Sequence, residues 1–168
     1  MKTILLSTAA ALIAASAASA QDAAESKFEL GAGYTLLDGD GVEFDALTLR
    51  GGYNVNEFFA VEGEALFGLG DENLGGGFSA ELNYGLGVFA KAEYPVGERV
   101  SVFGRLGYTW AEVEVSGLGS EDADGFAYGV GGEFAVSGPN AIRADYTRYD
   151  YEDGAEADGW SIAYVRSF

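Results

Sequence analysis

Apolar and polar residues alternate along most of the chain, and this two-residue period is typical of β-strands. In the clearest segment one face carries Leu82, Tyr84, Leu86, Val88, Ala90, Ala92 and Tyr94, and the other carries Glu81, Asn83, Gly85, Gly87, Phe89, Lys91 and Glu93. The alternation predicts eight strands, over residues 28–36, 47–53, 59–67, 81–94, 100–110, 126–134, 142–147 and 160–168. An even number of strands can close into an up-and-down barrel.

The connections between these strands alternate in predicted length. Residues 54–57, 95–98 and 137–140 are predicted as tight turns, and two of them contain the only prolines of the chain. Longer polar loops are predicted over residues 38–43, 70–79, 116–125 and 150–158. Tight turns at one rim and longer loops at the other are typical of an antiparallel barrel that spans a membrane.

The composition narrows the class of protein. The formal charge of −18, from 27 acidic and 9 basic residues, argues against a nucleic-acid partner, because phosphates require Lys and Arg. Ten Tyr, eleven Phe and two Trp argue against a disordered acidic chain. There is no cysteine, so no disulfide stabilises the fold, whereas a closed hydrogen-bonded barrel in lipid requires none.

The first twenty residues resemble a secretory signal peptide. Lys2 precedes an apolar segment over residues 4–15, and Ala18-Ser19-Ala20 offers a small-residue cleavage site. We therefore predict a cleaved segment over residues 1–20 and a single barrel domain over residues 21–168. An uncleaved membrane anchor is the alternative reading of the same residues.

The alternation leaves open which face of the barrel is turned outwards. A soluble barrel of the lipocalin or streptavidin type would place the apolar face inside. Three features favour lipid instead: the polar face has many glycines and few lysines, aromatic residues such as Tyr84, Tyr94 and Trp160 lie near the ends of the apolar faces, and the last strand ends on Phe168. We predict that the apolar face contacts lipid.

Four stretches carry a resemblance to a known family: Leu47-Thr48-Leu49-Arg50-Gly51-Gly52-Tyr53, Phe59-Ala60-Val61-Glu62, Ala141-Ile142-Arg143-Ala144-Asp145-Tyr146 and the terminal Phe168. With them the chain resembles the small eight-stranded outer-membrane barrels of Gram-negative bacteria, which include opacity-type adhesins, the transmembrane domain of outer membrane protein A and other porin-family barrels. The resemblance implies a monomer in the outer membrane, surrounded by lipid and lipopolysaccharide, and a role for Phe168 as the signal read by the barrel-assembly machinery. Arg166 departs from the family, which often has an aromatic residue there.

If the apolar face contacts lipid, five acidic and four basic residues point into the barrel: Glu29, Arg50, Glu62, Glu64, Lys91, Arg105, Glu133, Arg143 and Asp145. An unpaired buried charge costs several kcal/mol, so these groups are expected to pair. Because eight strands leave an interior just wide enough for side chains, we predict a plug of salt bridges. The alternative is an ion path through the barrel, as in a small-solute pore.

The sequence offers no catalytic, metal or cofactor site. Glu62 and Glu64 are spaced for acid–base work, but they share a face with Arg and Lys, and the chain has no histidine. Asp38-Gly39-Asp40-Gly41 lacks the remaining ligands of a calcium loop. The acidic loops are expected to bind Ca²⁺ or Mg²⁺ only weakly, with the cation bridging their carboxylates to lipopolysaccharide phosphates. We predict a structural or surface-interaction protein with a plugged interior, a pore as the alternative, and no enzymatic activity.

Overall fold

The computed structural model describes residues 27–39, 42–75, 78–115, 119–152 and 154–168, so the predicted signal peptide lies outside the described residues. Nine strands are present in them: β1 (Phe28–Gly39), β2 (Val42–Asn54), β3 (Phe59–Gly68), β4 (Asp71–Gly75), β5 (Phe78–Pro95), β6 (Val100–Val115), β7 (Gly119–Ser137), β8 (Asn140–Tyr151) and β9 (Glu156–Ser167). No helix in these ranges is long and apolar enough to cross a membrane.

The strands form one closed antiparallel barrel. Consecutive strands pair with each other except β3 and β4, β1 pairs with β9, and β3 pairs directly with β5. The short β4 follows β3 and pairs with the same neighbour, β5, so the wall has eight positions. The predicted all-β, eight-stranded, up-and-down barrel is confirmed.

The predicted tight turns are correct, but the predicted long loops are wrong. The strands continue through most of the acidic segments, and Asp38 lies opposite Glu43 in the ladder between β1 and β2. Likewise β7 begins at Gly119 and β9 at Glu156. Backbone hydrogen bonds extend a ladder whatever side chains it carries, whereas the alternation used for prediction disappears where both faces of a strand meet water.

A β-bulge changes the facing of one predicted residue. The register between β5 and β6 shifts between Leu82 and Tyr84, so that these two residues no longer share a face. The alternation predicts that Leu82 lies on the outer face with Tyr84, but Leu82 is 5% exposed and lies inside the barrel. The extra residue of a bulge reverses the facing of everything on one side of it, and alternation alone does not reveal it.

The outer surface matches a membrane-spanning wall. A central band of apolar side chains is about half exposed to the barrel's surroundings, for example Leu86, Val88, Leu106, Val130 and Ile162. Aromatic pairs lie at both ends of this band: Phe28–Tyr53 and Phe58–Tyr94 at one end, Tyr108–Trp110 and Tyr146–Trp160 at the other. These are the two girdles of a transmembrane barrel, and the predicted lipid-facing surface is confirmed.

The two ends of the barrel differ in their connections. We call the end with the turns after β2, β5 and β7 the turn end; Phe28 and Phe168 meet there, where the Phe168 amide donates to the Phe28 carbonyl at 2.8 Å. The opposite end, where β6 and β7 reach Val115 and Gly119, is the hairpin end. In the outer-membrane barrels that the sequence resembles, the short turns lie in the periplasm, so we expect the hairpin end to face the cell exterior.

Candidate functional site: the interior charge network

The barrel interior contains all nine charged residues that the sequence places there. Eight of them are at most 9% exposed: Arg50, Glu62, Glu64, Lys91, Arg105, Glu133, Arg143 and Asp145. Glu29 is the ninth and is partly buried near the turn end. They come from seven strands, β1, β2, β3, β5, β6, β7 and β8, because alternate residues of every strand point inwards.

The first part of the network is built around Arg50. Its Nε donates to Glu64 at 2.7 Å, and its two terminal nitrogens donate to the two carboxylate oxygens of Asp145 at 2.9 and 3.0 Å. The second arrangement is a bidentate pair, in which the planar guanidinium matches the planar carboxylate. Arg50 therefore connects β2 to both β3 and β8 across the lumen.

Arg105 and Arg143 complete a balanced cluster. Arg105 Nη1 lies 2.8 Å from both Glu62 and Glu64. Arg143 donates to Glu62, and its Nε lies 3.0 Å from Asp145. We call the six residues Arg50, Arg105, Arg143, Glu62, Glu64 and Asp145 the arginine cluster; its three positive and three negative charges cancel.

Aromatic rings and hydroxyl groups fill the space around these charges. The guanidinium of Arg105 lies 4.1 Å from the ring centre of Phe89, and that of Arg143 lies 4.1 Å from the ring centre of Phe103. Tyr149 donates its hydroxyl hydrogen to Glu64 at 3.1 Å. Within the described part of the chain, every buried side-chain nitrogen and oxygen has a hydrogen-bond partner.

A second group of charges lies nearer the turn end. Lys91 Nζ lies 3.2 Å from Glu29, 2.9 Å from Glu93 and 3.3 Å from Glu133. We call these four residues the lysine cluster; one ammonium faces three carboxylates, which leaves two negative charges in excess. Arg143, 3.8 Å from Glu133, is the link to the arginine cluster.

The hairpin end of the lumen is closed by apolar side chains. We call the buried set the apolar plug: Leu37, Ala46, Leu66, Leu82, Phe89, Ala111, Ala127 and Tyr149. Glycines provide room for Phe89 of the plug and for Phe103, which lies nearer the turn end. A Cβ atom on Gly87 would lie 2.6 Å from the Phe89 ring, and one on Gly131 would lie 2.5 Å from the Phe103 ring.

Several interior residues that contact the charge network are not among the nine predicted charges. The alternation places Glu93 and Phe89 on the polar face of β5, but it does not indicate that either contacts the network. Phe103 and Tyr149 also contact the arginines or their carboxylates. Tyr149 could have been found, because it continues the inward series Arg143, Asp145 and Thr147.

In the girdle at the hairpin end, tyrosine hydroxyls pair with carboxylates on the outer surface. Tyr34 donates to Asp45, Tyr108 to Asp124 and Tyr146 to Asp158. Hydrogen bonds from Tyr146 and from Arg148 hold the pKa of Asp158 below its usual range. These tyrosines therefore fix acidic groups at the membrane boundary. Among the described residues, no group of three acidic, His or Cys side chains is placed to hold a metal ion.

The chain belongs to a family of membrane barrels. The family model of the outer membrane protein β-barrel domain matches residues 7–168, which places the protein in the cell outer membrane. No curated protein is significantly similar in sequence.

Solved structures of small outer-membrane proteins share the fold. Ail, the attachment invasion locus protein of Yersinia pestis, is 19% identical, and the match covers 84% of this chain and 96% of Ail with a TM-score of 0.61. Neisserial surface protein A is 17% identical over 84% of this chain and 96% of its own, with a TM-score of 0.58. OprG from Pseudomonas aeruginosa is 13% identical over 84% of this chain and 95% of its own, with a TM-score of 0.61. At these identities the likeness concerns the fold alone.

Proposed function

We propose that this protein is a structural and surface-interaction component of the outer membrane, with an interior closed to solutes. The observation that carries the proposal is the filled lumen, in which the arginine cluster is followed by the apolar plug. An ion crossing the barrel would have to separate several charge pairs and then enter an apolar layer. A buried charge left without its partner costs about 3–5 kcal/mol, so spontaneous opening is rare.

Single-channel recording tests the closed interior. The refolded protein, inserted into a planar bilayer across a salt series, is expected to give no current steps above the background of protein-free membranes. Insertion is verified on the same preparation by protease protection. Reproducible steps whose size changes in Glu62→Gln would contradict the closed interior, because that residue lies in the centre of the arginine cluster.

A small cation pore is the second candidate function. The observation in its favour is the lysine cluster, whose excess of two negative charges lies towards the turn end, where Glu93 and Glu29 are partly exposed. An acidic entrance to the barrel attracts cations. Current steps selective for cations over anions would favour this function, whereas unselective steps would indicate damaged bilayers.

The partners we propose follow from the fold and from the acidic exterior. Outer-membrane lipid and lipopolysaccharide surround a monomeric barrel, the segment over residues 1–20 is removed on export, and the barrel-assembly machinery recognises Phe168.

Deleting Phe168 is expected to lower the amount of barrel in the outer membrane while export continues, as measured by fractionation and immunoblotting. Unchanged membrane levels would contradict that role of Phe168. We propose no catalytic role, since the carboxylates of Glu62 and Glu64 are paired with arginines and the chain has no histidine.

The hairpin end is the part of the protein that meets the cell's surroundings. Ail has been crystallised with the heparin analogue sucrose octasulfate, a polyanion. A sulfated polyanion does not suit the present chain, because no Lys or Arg occurs between Arg105 and Arg143. Arg148, the basic residue at the hairpin end of β8, is already paired with Asp150, Glu156 and Asp158. A partner of positive charge fits this end better.

A further inference from the structure

The hairpin of β6 and β7 extends further from the membrane than its neighbours on one side. β7 pairs with β6 from Gly119 onwards, but its pairing with β8 starts only at Gly125, opposite Tyr151. Residues 119–123 thus have a strand on one side, and none of the residues described on the other side pairs with them. Among the residues that the structure describes, this segment is therefore a free edge of the sheet, as the short β4 also is, which pairs with β5 alone.

The hydrogen-bonding groups of this edge follow from the strand geometry. The Glu152 amide donates to the Asp124 carbonyl at 2.9 Å, so the carbonyl of Asp124 points towards β8. The N–H and C=O of one residue point to the same side of a strand, and successive residues alternate between sides. Ser120 and Asp122 therefore direct their amides and carbonyls outwards along the free edge, and both residues are exposed.

The side chains along the edge are acidic. Glu112 lies opposite Asp122 in the ladder of β6 and β7, and Glu121 lies opposite Val113. The Tyr108 hydroxyl donates to Asp124 and lies 3.1 Å from Glu152, which adds a further carboxylate at the base of the edge. Like charges opposite each other in a ladder are unfavourable, so a strand with basic side chains would relieve repulsion that exists already.

We propose that the free edge over residues 119–123 accepts an extended strand of a partner protein that carries Lys or Arg at alternate positions. Backbone hydrogen bonds would provide the affinity, and the carboxylates would select the charge of the partner. A second copy of this chain is a poor occupant, because it would bring another acidic edge against Asp122. The inference deepens, and rests on, the surface-interaction part of the proposed function, and it holds whether or not the lumen conducts.

Peptide binding to the barrel in lipid nanodiscs tests this edge. The probe is a dye-labelled peptide of about seven residues that alternates Lys and Val, which matches the length of an ordinary strand. Fluorescence anisotropy is expected to show binding that weakens as salt is added. A Glu–Val peptide of equal length is expected not to bind, nor is a Lys–Val peptide in which two Val are replaced by Pro. Equal binding of the proline-containing peptide would overturn strand addition in favour of simple charge attraction.

Two substitutions of one residue separate backbone pairing from charge. Ser120→Pro removes an amide on the free edge and no bond to β6, and it leaves the charge unchanged; Ser120→Ala keeps the amide and is the matched control. We expect binding to weaken about tenfold in Ser120→Pro, as for the loss of one to two hydrogen bonds, and to be unchanged in Ser120→Ala.

A third variant, Asp122→Asn, keeps the amide and is expected to bind more weakly with a smaller salt dependence. All variants are first compared with the wild-type protein in denaturant midpoint, so that a misfolded barrel is not mistaken for a blocked edge. Full binding by Ser120→Pro, absence of binding by the wild-type protein, or a barrel dimer that Ser120→Pro abolishes would each overturn the proposal. A conductance found for the wild-type protein would overturn the closed interior and leave this result standing.

Discussion

The arginine cluster and the lysine cluster solve the same problem of buried charge in different ways. In the arginine cluster three guanidinium groups meet three carboxylates, and Arg50 binds Asp145 through two parallel hydrogen bonds. In the lysine cluster one ammonium is shared by three carboxylates, two of which remain partly exposed. The first cluster is neutral and enclosed, whereas the second is acidic and reaches towards water.

The difference follows from position along the barrel and from the shape of the cations. Deep in the lumen a charge without a partner is costly, and the planar guanidinium can bind several carboxylates in fixed directions. Near the turn end, water can solvate the excess carboxylates, so a compact ammonium is sufficient. We infer that the arginine cluster determines the stability of the barrel and keeps its lumen closed. The lysine cluster determines the charge of the lumen at the turn end.

The largest effect is expected for Arg105→Met. This change leaves Glu62 and Glu64 without one of their partners in an enclosed space, so we expect a loss of about 4 kcal/mol in the free energy of unfolding. Urea unfolding in lipid vesicles, followed by tryptophan fluorescence, measures the loss. Arg166→Met, which replaces an exposed arginine at the turn end, is the control and should stay within about 0.5 kcal/mol of the wild-type protein. Equal midpoints for the two variants would mean that the interior charges are solvated.

An intermediate effect is expected for Gly131→Ala, which disturbs the contact between the two clusters. The added methyl group would lie 2.5 Å from the ring of Phe103 and 2.6 Å from the Cβ of Asp145. Phe103 packs against both Arg143 and Lys91, so a displaced ring affects both clusters. Overpacking of this kind costs about 2 kcal/mol in unfolding free energy.

Gly104→Ala provides the matched control for this overpacking. Its added methyl group points outwards, where the nearest atom is 3.9 Å away. The same unfolding measurement should give a value close to that of the wild-type protein. A loss as large as that of Gly131→Ala would show that the cost comes from the strand backbone and not from the ring of Phe103.

The smallest effect is expected for Lys91→Met. The three carboxylates of its cluster would repel one another, but Glu29 and Glu93 are partly exposed and can be hydrated. We therefore expect a loss of about 1–2 kcal/mol in the free energy of unfolding at pH 8. The loss should shrink towards pH 5, because protonation of a carboxyl group removes the repulsion that Lys91 neutralises. Unfolding midpoints of both proteins at several pH values measure this. A loss equal to that of Arg105→Met would remove the distinction between the clusters.

The sequence by itself determined the strands and their two faces. The direction of a side chain alternates along a strand as a local property of the backbone, so Arg105, Glu62 and Asp145 could be placed inside without knowledge of any partner. The same reasoning gave the number of strands and the three tight turns. It failed at the bulge after Leu82 and in the acidic segments, where the pattern no longer reports a buried face.

Only the tertiary structure decided which charges meet and where the wall ends. Arg50 and Asp145 are 95 residues apart in the sequence, and they pair because closure of β1 against β9 brings β2 and β8 to the same side of a narrow lumen. The free edge of β7 likewise depends on the lengths of β6 and β8, which no local pattern fixes. Pairing between distant strands is a property of the closed barrel, since each partner is positioned by the register of every strand between them.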